Sequence, residues 1–256
     1  MAKFSVSVKR LVISFDTRPL AAGIVLFVLL VNLGVWQLDR AQEKSALQAR
    51  WLAQSILPPV APAMLTANSE PEFAADRLVT WTGEFIPGKY ILLDNRLHRG
   101  QPGYHVVALV RAGTIIVPLN LGWISSGGSR DAIPPVALPK GEVSIAGRIY
   151  VPTSKPFMMQ EQFPPKALPA IVQTLYWDNW NATLSLLTGG PMFPHEVRID
   201  PQSPHALVAN WPVVNQSPAK HYGYALQWFI MAGLLVLIGL FQTTNLKTLI
   251  TRNERL

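Results

Sequence analysis

The chain has 256 residues, of which 49% are hydrophobic and only 14% are charged, against about 25% charged residues in an ordinary soluble domain. It contains no cysteine, which excludes disulfides, zinc–cysteine sites and thiolate nucleophiles. The net charge of +7 comes from scattered Lys and Arg, without the basic helix or stacking platform that a nucleic-acid partner would require.

The first apolar segment follows a basic tail, residues 1–18. Residues 20–38 are apolar except for Asn32 and Gln37, and a helix of about 20 residues spans the ~30 Å hydrocarbon core of a bilayer. A cleaved signal peptide would have a shorter apolar region followed by small residues, whereas this segment ends in Trp36-Gln-Leu-Asp-Arg40. We therefore predict an uncleaved transmembrane helix over residues 19–38.

The middle of the chain, residues 39–220, is predicted to form one domain. Residues 39–57 predict a helix that ends at Pro58-Pro59, and a periodic apolar pattern predicts a second helix over residues 173–187. Six runs rich in β-branched and aromatic residues predict strands: 78–85, 90–94, 104–110, 114–119, 143–150 and 195–200. Their spacing near ten residues favours a mainly antiparallel α+β domain, built as a small barrel or sandwich.

The second apolar segment predicts a transmembrane helix over residues 221–241, followed by a short tail, residues 242–256. On a helix His221, Tyr224 and Trp228 share one face, because they lie at positions i, i+3 and i+7. An interfacial histidine among aromatic residues commonly belongs to an anchoring belt. It can also be a cofactor ligand or part of a face that recognises another membrane protein. The pattern alone leaves these alternatives open.

The charges at the ends of the two segments predict their orientation. Seven Lys and Arg flank them on the side of the termini and four on the other side. By the positive-inside rule, both termini are expected in the cytoplasm and the middle domain is expected to be exported.

The middle domain carries no hydrolase, phosphate-loop, dinucleotide or zinc-protease motif, so we predict no enzymatic activity. The run Ser125-Ser-Gly-Gly128 lacks the Lys and the helix of a phosphate loop and is typical of a turn. Met158-Met159 and Met192-Phe-Pro-His195 combine thioether with imidazole, which suits Cu(I), but such residues also fill proline-rich loops.

Two segments resemble signatures of the surfeit-locus cytochrome oxidase assembly proteins. Residues 34–44 resemble the Gly-x-Trp-Gln-x-x-Arg-x-x-x-Lys signature that closes their first span, and residues 221–228 are similar to the His-x-x-Tyr-Ala-x-x-Trp motif that opens their second. Further residues follow the order of the family: Gly83, Phe85, Asn95-Arg96, Gly103-Tyr104 and Asn120-Leu-Gly122-Trp123. Where the family pattern is Asn-Arg-Gly-Trp-x-Pro, this chain has Asn120-Leu-Gly-Trp-Ile-Ser125, so Leu121 replaces the Arg and Ser125 replaces the Pro.

This resemblance implies an assembly factor for a haem–copper terminal oxidase of the cytochrome c oxidase type, in the bacterial inner membrane with its middle domain in the periplasm. It implies that haem a is bound with His221 as the iron ligand and delivered to the catalytic subunit of the oxidase. An enzyme of haem a synthesis is a second implied partner. Other residues of the two signatures would line or flank the pocket: Trp36, Gln37, Tyr224, Gln227 and Trp228. The alternatives are a cofactor-free scaffold for the catalytic subunit and a copper donor.

Overall fold

The computed structural model describes residues 3–8, 11–65, 71–127, 133–153, 163–175 and 177–245. The chain divides into two compact units, one formed by its two ends (Met1–Ala49 and Val213–Leu256) and one by its middle (Arg50–Pro212). The elements, in chain order, are β1 (Lys3–Val8), β2 (Leu11–Asp16), α1 (Thr17–Ser55), a 3-10 turn (Pro62–Met64), α2 (Pro71–Ala74), β3 (Leu78–His98), β4 (Gln101–Ala112), β5 (Ile115–Ser125), β6 (Glu142–Tyr150), β7 (Ala170–Val172), α3 (Trp177–Thr188), β8 (Glu196–Ile199) and α4 (Pro218–Thr243).

The first unit contains the two apolar helices that the sequence predicts. Both α1 and α4 are long and apolar enough to cross a membrane by length and composition. The predicted span 19–38 and the helix predicted after it form the single uninterrupted helix α1, which ends at Ser55. The predicted tail 1–18 contains an antiparallel pair, β1 with β2. Ser5 and Ser7 alternate there with apolar residues, which is the period-two signal of a strand.

The second unit is built on one six-stranded sheet. The first part of β3 pairs antiparallel with β6 and its second part pairs antiparallel with β4, which in turn pairs with β5. β8 lies between β5 and β6, parallel to the former and antiparallel to the latter, and β7 adds parallel to β3. The pairings therefore run from β3 through β6, β8, β5 and β4 back to β3. The sequence favoured antiparallel strands, whereas the observed sheet is mixed.

Two predicted boundaries differ from the structure. The runs 78–85 and 90–94 belong to one strand, β3, whose register with β4 shifts between Phe85 and Tyr90. Pro87 and Gly88, which separate the two predicted runs, lie in this irregularity, and Gly88 has a φ of 68°. The helix predicted over 173–187 is α3, which begins only at Trp177, after the short strand β7 that the sequence did not predict.

Successive residues of the central strands point to opposite faces of the sheet, and both faces are buried. Leu92, Val106 and Val110 belong to the larger apolar cluster, while neighbours such as Ile91 and Val107 belong to a second one. The second cluster includes residues of α3, so this helix covers that face. Full burial of each such side chain contributes about 1.5–3 kcal/mol.

Several residues shared with the surfeit-locus pattern hold strands of the sheet together. The indole Nε1 of Trp123 donates to the carbonyl oxygen of Arg96 at 2.9 Å, and a Cβ at Gly103 would lie 2.5 Å from the Trp123 ring. The buried amide of Asn120 donates to Oε1 of Glu196 at 2.9 Å and accepts from the backbone N–H of Gly122. These contacts join β3, β4, β5 and β8, so this part of the pattern has a structural explanation.

Arg148 of β6 joins the last turn of α1 to the sheet. Its guanidinium stacks on Trp51 at 4.4 Å and donates to the Ser55 hydroxyl at 2.9 Å and to the carbonyl oxygen of Asp76 at 2.6 Å. Burial lowers the pKa of Arg148, and the carboxylate of Asp76 opposes that effect. A cation at this position also interacts favourably with the helix C-terminus, where backbone carbonyls lack helical partners.

His105 of β4 is held as a neutral imidazole. Its ring packs edge-on against Trp211, with 5.4 Å between the centroids. Burial, and then the positive charges of Arg96 and Arg198, lower the pKa of His105 from 6.5 to about 4.

This pKa shift predicts an acid-sensitive contribution to stability. The unfolded chain binds the proton near pH 6.5 and the folded chain only near pH 4, so the contribution is complete above about pH 6.5 and disappears as the pH falls to about 4. We expect the Tm of the full chain in detergent to fall over this range, and to fall less in His105→Gln. Thermal unfolding followed by tryptophan fluorescence measures both.

The matched control is His205→Gln, because His205 also packs edge-on against an aromatic ring, Phe85, at 6.3 Å. An identical pH dependence in His105→Gln and in the wild type would contradict the assignment.

Candidate functional site

The candidate site lies where the beginning of α4 meets α1, within the first unit. Pro218 occupies the first turn of α4, where its missing N–H costs no helical hydrogen bond. His221 follows in the same turn and is half-buried. On α1 the facing residue is Gln37, which is also half-buried.

A hydrogen bond connects these two residues. Nδ1 of His221 and Oε1 of Gln37 are 2.7 Å apart. An amide oxygen can only accept, so Nδ1 carries the hydrogen and donates it, and Nε2 keeps a free lone pair. Histidines that bind metals commonly have their second ring nitrogen fixed in this manner by an oxygen acceptor. The pair therefore presents an oriented imidazole whose Nε2, which takes no part in this hydrogen bond, can coordinate a metal ion when it carries no proton.

A close contact between the helices supports this hydrogen bond. A Cβ added at Gly34 would lie 2.6 Å from Cε1 of Phe229, so the phenyl ring occupies the space that any side chain at Gly34 would need. Ala225 and Ala232 of α4 are also buried, with exposed fractions of 1% and 2%. Small residues at such positions allow helices to pack closely without an aqueous driving force.

The structure brings together Gln37 and His221 but not the other predicted pocket residues. Trp36 and Tyr224 are about half exposed, at 50% and 45%, Gln227 is exposed and Trp228 is half-buried. Among the described residues, the side chains of these four have no hydrogen-bond partner.

In the described part of the chain no three His, Asp or Glu residues lie close enough together to hold a metal ion. Met192 is buried in the second apolar cluster, with its sulfur 3.8 Å from the Thr188 hydroxyl. His195 packs edge-on against Phe193. Met158 and Met159, which the copper hypothesis also used, lie outside the described residues.

Comparison with known protein families confirms the resemblance to the surfeit-locus proteins. A family model described as the SURF1 family matches residues 24–233, a range that begins within α1 and ends within α4. The chain belongs to the SURF1 family. No curated protein matches the chain. The SURF1 family is associated with cytochrome c oxidase assembly and is generally non-enzymatic.

Sequence reasoning missed the role of Gly34 and Phe229, although Gly34 begins the first segment that carries the SURF1 resemblance and Phe229 directly follows the second. The available signal was helical spacing, because Gly34 precedes Gln37 by three residues and Phe229 follows His221 by eight. A glycine on the same helix face as a candidate site residue permits a neighbouring group to approach there, but only the structure shows that one does.

The contact at Gly34 predicts a strong effect of added bulk. Gly34→Val places a branched side chain where the Phe229 ring lies, and such overpacking typically costs about 1–3 kcal/mol. We expect a lower Tm in detergent, with partial recovery when Phe229→Ala is added. In the matched control Gly233→Val the added Cβ meets nothing within 4 Å. A Tm for Gly34→Val equal to that of the control would contradict the packing described.

Proposed function

We propose that this SURF1 protein binds haem a at His221 and delivers it to the catalytic subunit of a cytochrome c oxidase during assembly. The observation that carries the proposal is the 2.7 Å hydrogen bond between Gln37 and His221, because it leaves Nε2 of the imidazole oriented and free. The match to the SURF1 family supports a role in oxidase assembly. Haem binding and haem delivery go beyond that match and are the content of the proposal.

The donor set fits a haem. Bound haem would supply an iron atom, which imidazole nitrogen binds well. Nε2 of His221 would hold the iron, and the hydrogen bond from Nδ1 to Gln37 would fix the orientation of the ring. Trp36 and Trp228 offer apolar surfaces that can pack against a macrocycle.

The charges beyond Gln37 fit the carboxylates of a haem. Arg40 and Lys44 both contact Glu43, at 2.6 and 3.3 Å. The two cations lie one to two turns from Gln37 along α1, and with Asp39 and Glu43 this segment carries no net charge. Haem propionates could exchange with Glu43 for these partners, since exposed ion pairs of this kind contribute little stability.

The proposed site must obtain haem a from the enzyme that makes it and release it to the oxidase. An axial bond from a single histidine and a partly exposed site suit a carrier, because neither encloses the ligand. The proposed partners are therefore an enzyme of haem a synthesis and the oxidase catalytic subunit.

Haem content of the purified protein tests the carrier function. From a host that makes haem a, the wild type should show a haem absorption band and His221→Ala should lose most of it. Gln37→Leu should retain the ligand but bind haem about 10–100-fold more weakly, as expected when a group that orients a metal ligand is removed.

His98→Ala is the control, because His98 packs against Trp123 in the sheet, with ring centroids 5.2 Å apart. The Tm of each haem-free variant shows whether the fold is intact. Full haem content in His221→Ala, or a wild type that never carries haem, would refute the proposal. In the second case the cofactor-free scaffold becomes the better explanation.

The membrane topology is part of the proposal. With α1 and α4 as spans, the Lys and Arg excess on the side of the termini favours a cytoplasmic location for both ends. The sheet unit would then lie in the periplasm. The candidate site would be at the periplasmic boundary, where an apolar macrocycle can be buried while its propionates stay hydrated.

Reporter fusions test this topology in a bacterial host. Alkaline phosphatase is active only after export, so a fusion after Gly128 should be active and a fusion at the C-terminus should be inactive. The matched controls are green fluorescent protein fusions at the same two positions, which should give the opposite pattern. An active C-terminal phosphatase fusion would overturn the orientation.

A further inference from the structure

A groove opens between α1 and α4 at the ends of the helices opposite to the candidate site. It has a volume of about 670 Å³ and is walled by Pro19–Phe27 on α1 and by Leu235–Thr243 on α4, with Ser14 and Asp16 of β2 at its edge. Small-molecule sites typically measure about 300–1,000 Å³, so this volume suits a small ligand.

The walls of the groove are mainly apolar and contain open space. Polar side chains lie at its terminal edge, where Ser14, Asp16 and Gln242 are found. Gly23 and Gly239 lie on the two facing walls, and a Cβ at either position would meet nothing within 4 Å. The groove can therefore hold a flexible hydrocarbon chain and offers it few hydrogen-bonding groups.

We propose that this groove receives the isoprenoid tail of the haem a bound at His221 and so distinguishes haem a from haem without a tail. The inference rests on the proposed function, and it adds the feature of the structure that determines which type of haem the protein binds. The propionates and the tail extend from opposite sides of the macrocycle. If the propionates face Arg40 and Lys44, the tail extends along the helices towards the groove.

The spacing along α1 agrees with this path. Gln37 and Phe27, the nearest groove residue on α1, are ten residues apart, which corresponds to about 15 Å of helix. Half of the macrocycle followed by a farnesyl chain covers a distance of this order. The iron ligand and the groove are thus two parts of one site along the same pair of helices.

Two other occupants are less well matched to the groove. An α-helix has a diameter of about 10 Å and a pitch of about 5.4 Å, so the groove volume holds less than two turns and most of a helix would lie outside it. A lipid acyl chain would fit but has no connection to the histidine. Both occupants predict that the groove has no influence on haem choice.

The test compares haem o with haem b, which differ only in the presence of the tail. Both are titrated into the purified full-length protein in nanodiscs, and the Soret band reports binding. We expect haem o to bind more tightly than haem b by on the order of tenfold or more, since a buried hydrocarbon chain adds apolar contact. Gly239→Leu, which fills the groove, should remove this preference and leave the affinity for haem b unchanged.

Gly233→Leu is the matched control: it lies on the same helix, a Cβ there also meets nothing within 4 Å, and it does not line the groove. It should keep the preference of the wild type. Gly23→Leu fills the groove from the opposite wall and serves as a second variant if Gly239→Leu is unstable by thermal unfolding.

The inference is overturned if the wild type binds both haems equally, or if the groove variants keep the wild-type preference. It is also overturned if they weaken haem b as much as haem o, or impair only copurification of the oxidase subunit. These results leave the carrier function standing. Failure of the wild type to bind any haem would instead refute the proposed function itself.

Discussion

The hydrogen bond between Gln37 and His221 is the interaction on which the candidate site depends. It joins helices that come from opposite ends of the chain, so the site forms only when the two helices pack together. The space left by Gly34 allows the Phe229 ring to enter between them. Since an amide oxygen accepts and cannot donate, the same bond also decides which nitrogen of the imidazole is available. The packing of the helices and the orientation of the imidazole are therefore coupled, and a change at Gly34 is expected to disturb both.

The residues that resemble the SURF1 pattern divide into two physical classes. In the sheet unit, Trp123 and Asn120 satisfy buried polar groups of neighbouring strands, which is a requirement of folding. On the helices, Gln37 and His221 orient each other but leave one ring nitrogen without a partner among the residues that the structure describes, which folding alone does not require. This difference is the physical reason for proposing the haem site on the helices and a structural role for the family residues in the sheet. The departure of the chain from the family pattern at Leu121 falls in the first class, since Leu121 is buried in the larger apolar cluster.

The sequence predicted features that depend on local pattern and missed those that depend on distant partners. Hydropathy over about 20 residues identified α1 and α4, and β-branched runs identified β3 to β6 and β8. The parallel pairings of β7 and β8 were not foreseen, because three- and four-residue strands acquire their place only from neighbours far along the chain. The signatures placed Gln37 and His221 in the same pocket, whereas their direct bond needed coordinates. The groove was not predicted at all, since a glycine in a sequence does not show whether the space beside it is filled or open.

The position of β8 has a consequence for how the protein is made. Its four residues lie between β5 and β6 in the sheet, yet they come after both of these strands and after α3 in the chain. Until Glu196–Ile199 have been synthesised, β5 and β6 each present a row of backbone groups without a partner, and such edges invite pairing with other chains. Pairings between distant segments also form slowly. During translation the apolar sheet therefore remains incomplete until β8 has been synthesised. We expect the chain to depend most on a general chaperone in this interval.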